Sequence, residues 1–148
     1  MSVETTLILF KPDAVEKNLV GEVLGRYQAE GFIIRGMKMM TLTPELLAEH
    51  YAHITDRPFY PRLIQFMTSA PVIALALEGE NVITRVRELL GATDSPTAEE
   101  GTIRREFGIN SMFNICHASD SAEAAAVELK RFFKDEEVFS FNSHDYLK

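Results

Sequence analysis

Thr5-Thr6-Leu7-Ile8-Leu9-Phe10 is an uninterrupted β-prone run without a charged residue, and Lys11-Pro12-Asp13 follows it directly. A strand with one wet face alternates apolar and polar side chains. This run does not alternate, so it reads as a buried central strand. Proline cannot donate to a ladder, so the strand stops at Lys11. That puts a cation at the end of a central strand, where ligands often gather. A surface lysine that merely ends the strand fits the position equally well.

The remaining elements have to be arranged around that strand. Val20 to Gly31 carries one apolar stripe, Val20, Val23, Leu24 and Tyr27, and Gly31 suits a helix C-cap. Phe32 to Met40 reads as a second strand whose methionines fill a core or an interface. Thr43-Pro44-Glu45 opens a helix that runs to about Tyr51. His50 and His53 on this stretch read as surface or partly packed histidines, because no neighbouring carboxylate or cysteine completes a metal site. Asp56-Arg57-Pro58-Phe59-Tyr60-Pro61 makes a stiff aromatic corner before an amphipathic helix through Leu63, Ile64 and Met67. The corner anchors a helix hairpin or offers a platform to a planar ligand. Pro71 to Gly79 is a third strand, and Glu80 to Leu90 a helix with Arg85 and Arg87, closed by Gly91. Ala92 to Phe113 lacks strong periodicity and holds Thr93, Arg104, Arg105 and Glu106. A loop of that length inside a compact domain is usually functional. From Asp135 to Lys148 the chain reads as an irregular tail that packs on the surface or on a neighbouring subunit.

The order is strand, helix, strand, two helices, strand, helix, loop, strand, helix. With four strands, helices on one face and no glycine-rich or Walker fingerprint, it suits an α+β, ferredoxin-like sandwich: a four-stranded antiparallel sheet with helices packed on it. At 148 residues, residues 1–148 form one domain with room for a real core. A net charge of -7 opposes a long nucleic-acid groove but leaves room for a small basic pocket. The single cysteine, Cys116, rules out an internal disulfide and suits a reducing compartment. No stretch approaches the ~18 apolar residues of a membrane span, so the expected setting is cytoplasmic, with no membrane partner.

Asn114-Ile115-Cys116-His117-Ala118-Ser119-Asp120 combines a strand end, a histidine and a helix start. Ser119, Asp120 and Ser121 can each cap the helix from Ala122 to Phe133, and Glu123 suits a capping box with Asp120. Cys116 should alternate into the core. A lone histidine in such a segment is more often structural than catalytic, so its role depends on what the rest of the chain brings to it. Strand ends, helix ends and the long loop contribute Lys11, Tyr51, Arg87, Thr93, Arg104, Asn114, Ser119 and Glu128. Fixed cations, a hydroxyl and an imidazole suit a phosphoryl group better than an acyl group. Charge on the equatorial oxygens needs stabilising, and a neutral imidazole nitrogen can attack in line. Glu128 lies eleven residues after His117, about three helical turns away, and spacing alone does not bring it back to the ring.

Asn-x-x-His-x-Ser-Asp at 114–120 resembles the signature of nucleoside diphosphate kinases. Lys11-Pro12-Asp13, His50-Tyr51, Asp56 to Tyr60, Glu78 to Asn81, Leu90 to Thr93 and Gly101 to Arg104 resemble further segments of that family, in order, over residues 4 to 140. The resemblance implies a ping-pong exchange: a nucleoside triphosphate phosphorylates His117, which passes the group to a nucleoside diphosphate. Lys11, Arg87, Thr93 and Arg104 would hold phosphates, with Lys11 and Asn114 near the sugar hydroxyls. Tyr51 would contact the phosphohistidine region, and Ser119 and Glu128 would orient His117. Phe59 would stack on the base beside Leu63. Mg2+ would arrive with the nucleotide phosphates rather than in a protein cage. The assembly would be a homo-oligomer, most often a hexamer, with a tetramer as the variant.

Ala118 stands where the family has glycine, and alanine is disfavoured there if the position needs positive φ. Ser111 replaces an apolar wall opposite Phe59. Asp94-Ser95-Pro96 and Glu99-Glu100-Gly101 also depart from the usual loop pattern. A second reading, a ferredoxin-like regulatory or RNA-binding module without catalysis, would call for aromatic strands and a basic face. The strands here are aliphatic and the chain is acidic.

Overall fold

The computed structural model describes residues 2–141. The strands are β1 Val3–Phe10, β2 Ile33–Met40, β3 Val72–Glu80 and β4 Cys116–Ala118. The helices are α1 Pro12–Glu16, α2 Val20–Ala29, α3 Pro44–His50, α4 Tyr60–Met67, α5 Val82–Leu90, α6 Ile103–Phe107 and α7 Ala122–Phe132. The sheet order is β2-β3-β1-β4. All its pairings are antiparallel: β1 lies against β3 from Val3↔Glu80 to Phe10↔Ile73, and against β4 through Leu9↔His117. This is the ferredoxin-like α+β sandwich.

β1 is central and buried, as its unbroken apolar run requires. Its side chains alternate between two cores. Ile8 and Phe10 meet Val23 and Tyr27 of α2 and Val82, Val86 and Leu90 of α5. Leu7 and Leu9 meet Leu47 of α3, Leu63 and Met67 of α4, and Phe132 of α7. Helices therefore cover both faces of the sheet, not one. With consecutive apolar residues in β1 and β3, neither face could be left wet.

Several boundaries differ from the pattern reading. Pro12 starts the short helix α1, with Lys11 at its N-cap. Glu80 ends β3, and Asn81 caps α5 with φ 52°. The segment from 92 to 113 is not wholly irregular: it contains a 3₁₀ turn, Ser95–Thr97, and α6, whose N-cap Thr102 accepts from the Arg105 amide. A five-residue helix is too short to show a 3.6-residue period. Arg35 sits at a bulge in β2, and its carbonyl accepts from Phe139 N at 2.7 Å, which lays the start of the tail along this edge strand. Residues 142–148 of the expected tail lie outside the described residues.

Gly79 shows how closely this layer is packed. A Cβ there would lie 2.5 Å from Cδ1 of the buried Phe32 ring. Gly79→Ala should cost about 1–3 kcal/mol in urea unfolding, because the ring has to leave its rotamer or the strand has to shift.

Candidate active site

Two segments some hundred residues apart meet where β1 ends and β4 begins. Lys11 N donates to Ile115 O at 2.9 Å, and Ile115 N donates to Asp13 Oδ2 at 3.1 Å. Cys116 N donates to Asn114 O at 2.9 Å, closing a γ-turn around Ile115, whose φ is 78°. A β-branched residue is strained there and needs to be held. The Asn114 side chain is bonded at both ends. Its Oδ1 accepts from Lys11 Nζ at 2.7 Å, and its Nδ2 donates to the carbonyls of Thr93 and Ser111, each at 3.0 Å. Arg104 donates to the carbonyls of Asn114, Gly91 and Cys116 at 3.2, 3.1 and 2.7 Å. It braces the turn as well as lining the cleft.

Ala118 is not a strained position. Among the described residues the non-glycines with positive φ are Asn18, Asn81 and Ile115. The strain expected after the histidine sits before it. Cys116 is buried, and burial pushes its thiol up to about 12, so it is a core side chain.

His117 reaches Glu128 Oε1 through Nε2 at 2.9 Å. Glu128 does return to the ring. Ser119 Oγ donates to the same oxygen at 2.7 Å and accepts from Leu7 N at 3.3 Å. Burial disfavours the ionised Glu128, but the His117 and Ser119 hydrogen bonds outweigh it and hold the carboxyl below its usual value. An ionised carboxylate only accepts, so Nε2 carries the proton and Nδ1 keeps the lone pair. Ser119 is therefore committed to Glu128. The helix cap is Ser121, which accepts from Ala124 N at 3.0 Å, in place of the Asp120–Glu123 box.

His50 is not on the surface. It is 7% exposed, with its ring centroid 4.6 Å from that of His117 and the planes at 82°. Its Nδ1 faces Arg131 Nη1 at 2.9 Å. Burial foremost, then the neighbouring His117, lowers its pKa to about 3. His50, His117 and Glu128 offer ligand-type atoms within 4.8 Å of one another. The His50 Nδ1 lone pair and Glu128 Oε1 are committed to the hydrogen bonds just described, and this nitrogen-rich set does not suit a hard cation. His53 is exposed and takes no part.

Beside His117 lies a cleft of about 760 Å³. Lys11, Tyr51, Arg87, Thr93, Arg104 and Asn114 line it together with His117, and so do Phe59 and Leu63. Ser119 and Glu128 are not part of the lining; they hold His117 in place. Phe59 is 43% exposed, as a stacking platform would be, whereas Leu63 is buried. Burial, and then the Arg104 charge, push the Lys11 ammonium down to about 8 against the opposing pull of Asp13. Burial likewise raises the Tyr51 phenol. Sequence reasoning missed Arg62 and Asp120 in the lining, and Asp13 and His50 behind it. The last two lay inside segments already matched as units, Lys-Pro-Asp and His-Tyr.

A family model described as nucleoside diphosphate kinase matches residues 4–138. The nucleoside diphosphate kinase of Parabacteroides distasonis is 44% identical over 144 residues, covering 97% of this chain and 94% of that protein. The Rhodopirellula baltica enzyme is 46% identical over 139 residues, covering 94% and 91%. The chain belongs to the nucleoside diphosphate kinase family. The Halobacterium salinarum nucleoside diphosphate kinase, solved with CDP, superposes with a TM-score of 0.92 at 36% identity, covering 99% of this chain and 98% of that one. The Aquifex aeolicus enzyme gives 0.88 at 45% identity, covering 93% and 100%. The protein is thus an enzyme, a phosphotransferase with nucleoside diphosphate kinase activity. The regulatory or RNA-binding reading gains no support.

Asp13→Ala would leave the buried Ile115 amide without its acceptor. The loss should be about 1–3 kcal/mol in denaturant unfolding, and Asp13→Asn, which keeps an acceptor, should recover most of it.

Proposed function

We propose that His117 Nδ1 is the nucleophile of a ping-pong exchange. The observation that carries this reading is the Glu128 contact at Nε2, which leaves Nδ1 with the lone pair in a histidine that lines the cleft. In the first half-reaction Nδ1 attacks the γ-phosphorus of a nucleoside triphosphate. A P–N bond forms, the bond from phosphorus to the β,γ-bridging oxygen breaks, and the nucleoside diphosphate leaves with that electron pair. In the second, a terminal oxygen of another diphosphate attacks the phosphohistidine, and the P–N electrons return to Nδ1. Glu128 stabilises the charge that develops on the ring, and Ser119 holds Glu128.

Lys11, Arg87, Thr93 and Arg104 bind the phosphates and neutralise the charge of the transferring group. Lys11 and Asn114 meet the sugar hydroxyls, and Tyr51 lies against the phosphohistidine. Phe59 stacks on the base beside Leu63, a contact that every base can make. A relative solved with CDP supports a cleft open to pyrimidines. Mg2+ fits as an ion carried by the nucleotide. Asp120 is the one carboxylate among the described lining residues, too few for a protein cage, so phosphate oxygens and water would be the ligands. When bound, the ion offsets phosphate charge.

Residues 1–148 act as one catalytic domain, in a cytoplasmic homo-oligomer, hexameric or else tetrameric. Met37 and Met39, 44% and 58% exposed on the edge strand β2, support a face shared between subunits. Among the described residues no helix is long and apolar enough to cross a membrane.

The direct test is transfer in two stages. Protein incubated with γ-labelled ATP, separated from nucleotide and then given GDP should hold an acid-labile, alkali-stable label and pass it to GTP. An unlabelled wild type, or equal labelling of His117→Ala, would overturn the reading. A second test follows from Lys11. Its lowered pKa means that the cation is present below about pH 8 and is lost above it. kcat/KM for nucleoside diphosphates should therefore fall on an alkaline limb with an apparent pKa near 8.

A further inference from the structure

We propose that His50, locked by Arg131, is a positioning residue for the His117 nucleophile. The proposal rests on the reading that His117 is the attacking group, and it adds the part that keeps that ring from turning.

One hydrogen bond, from Nε2 to Glu128, fixes one edge of the His117 ring. About the Cα–Cβ and Cβ–Cγ bonds, a ring held at one edge can still swing. The neighbouring His50 ring lies almost perpendicular to it, with centroids 4.6 Å apart. His50 is itself wedged between Tyr51 and Phe132, with centroids 4.8 and 5.1 Å away. The His117 ring is therefore held by a carboxylate at one edge and by a packed imidazole beside it. Displacements of about 1 Å from productive geometry can cost a transfer reaction 10²-fold, so such a wall matters to the rate.

The state of His50 is set by Arg131. A guanidinium donates and does not lose its proton, so the 2.9 Å contact from Nη1 makes His50 Nδ1 the acceptor. The ring proton then sits on Nε2, which is buried and has no hydrogen-bond partner among the described residues. The charged and titratable groups around His50 are Lys11 of the β1 end, Tyr51 at the end of α3, His117 of β4, and Glu128 and Arg131 of α7. Beyond them, Glu49 of α3 meets Arg131 Nε at 3.4 Å. Burial foremost, then His117, and after them Arg131 and Lys11 disfavour a second proton on His50, and Glu128 favours one. Neutrality is functionally important because a charged His50 would compete with His117 for Glu128. Ligand-type atoms of all three lie within 4.8 Å of one another. Arg131 therefore fixes the His50 tautomer, while burial foremost and then His117 keep that ring uncharged beside the nucleophile.

The test uses the full-length enzyme and three variants, read by single-turnover phosphohistidine formation and by steady-state kinetics across pH. His50→Ala should slow phosphorylation of His117 by about 10–100-fold with nucleotide KM within about 2-fold of wild type. His50→Phe, which keeps a flat ring in the wedge, should recover most of that rate. Arg131→Met removes the donor that fixes the His50 tautomer and should slow phosphorylation of His117 by about 10-fold, again with nucleotide KM within about 2-fold of wild type. A wild-type phosphorylation rate in His50→Ala, or a loss confined to KM, would overturn the proposal. So would a wild-type phosphorylation rate in Arg131→Met, an outcome that remains readable if His50→Ala does not fold. Labelling of wild type but not of His117→Ala tests the nucleophile by itself. If that holds while His50→Ala labels at full rate, only the positioning role fails.

Discussion

The pair of hydrogen bonds that ties the end of β1 to the entry of β4 is the constraint on which the rest depends. Lys11 N reaches Ile115 O, and Asp13 Oδ2 takes the Ile115 amide. About a hundred residues separate the partners, so the chain bears a large loop-closure entropy before these contacts return anything. The apolar burial of β1 against both cores offsets that cost, and the junction inherits its rigidity from the most buried strand. Its consequences are local and chemical. Lys11 is held in place by Asn114 rather than moving freely in water, and His117 is reached two residues after the strained Ile115.

Strain at Ile115 persists because its neighbours over-determine it. The amide and carbonyl are each bonded, the side chain is fully buried, and Arg104 takes the carbonyls on either side of the residue. Arg104 shows how one charge serves two ends. The same guanidinium that lines the cleft organises the backbone of the turn, so its removal would disturb the cleft wall and the turn geometry together. The two effects separate only if the fold is measured beside the rate.

Much of this was legible in the sequence where the signal was local or periodic. An unbroken apolar run placed β1, Thr43-Pro44 started α3 at the residue expected, and the family-like segments contain Lys11, Tyr51, Phe59, Thr93, Arg104, Asn114 and His117 of the cleft lining. Features that arise from tertiary contact were not legible. His50 read as a surface or partly packed histidine because the carboxylate and the second imidazole beside it come from α7 and β4. Three candidate caps stood in a row at 119–121, and only the structure shows that Ser119 is committed to Glu128, which leaves Ser121 for the helix. Two-sided burial of the sheet was implicit in the consecutive apolar residues of β1 and β3. The strand count and element order alone pointed to one covered face.

The two adjacent imidazoles are set in opposite ways by opposite charges. A carboxylate accepts and never donates when ionised, so Glu128 draws the His117 proton to Nε2 and leaves the lone pair at Nδ1. A guanidinium donates and never accepts, so Arg131 holds the lone pair of His50 at Nδ1 and leaves its proton at Nε2. Both partners come from α7, one turn apart on the same helix face, as Glu128 and Arg131. One helix therefore sets both tautomers with a single rotation about its axis, and a register slip in α7 would lose both at once. This explains why the short strand β4 can carry the histidine although it contributes only three residues to the sheet. The ring's orientation is set not by β4 alone but by the helix that follows it, whose Ala125 and Phe132 sit in the two cores on opposite faces of β1.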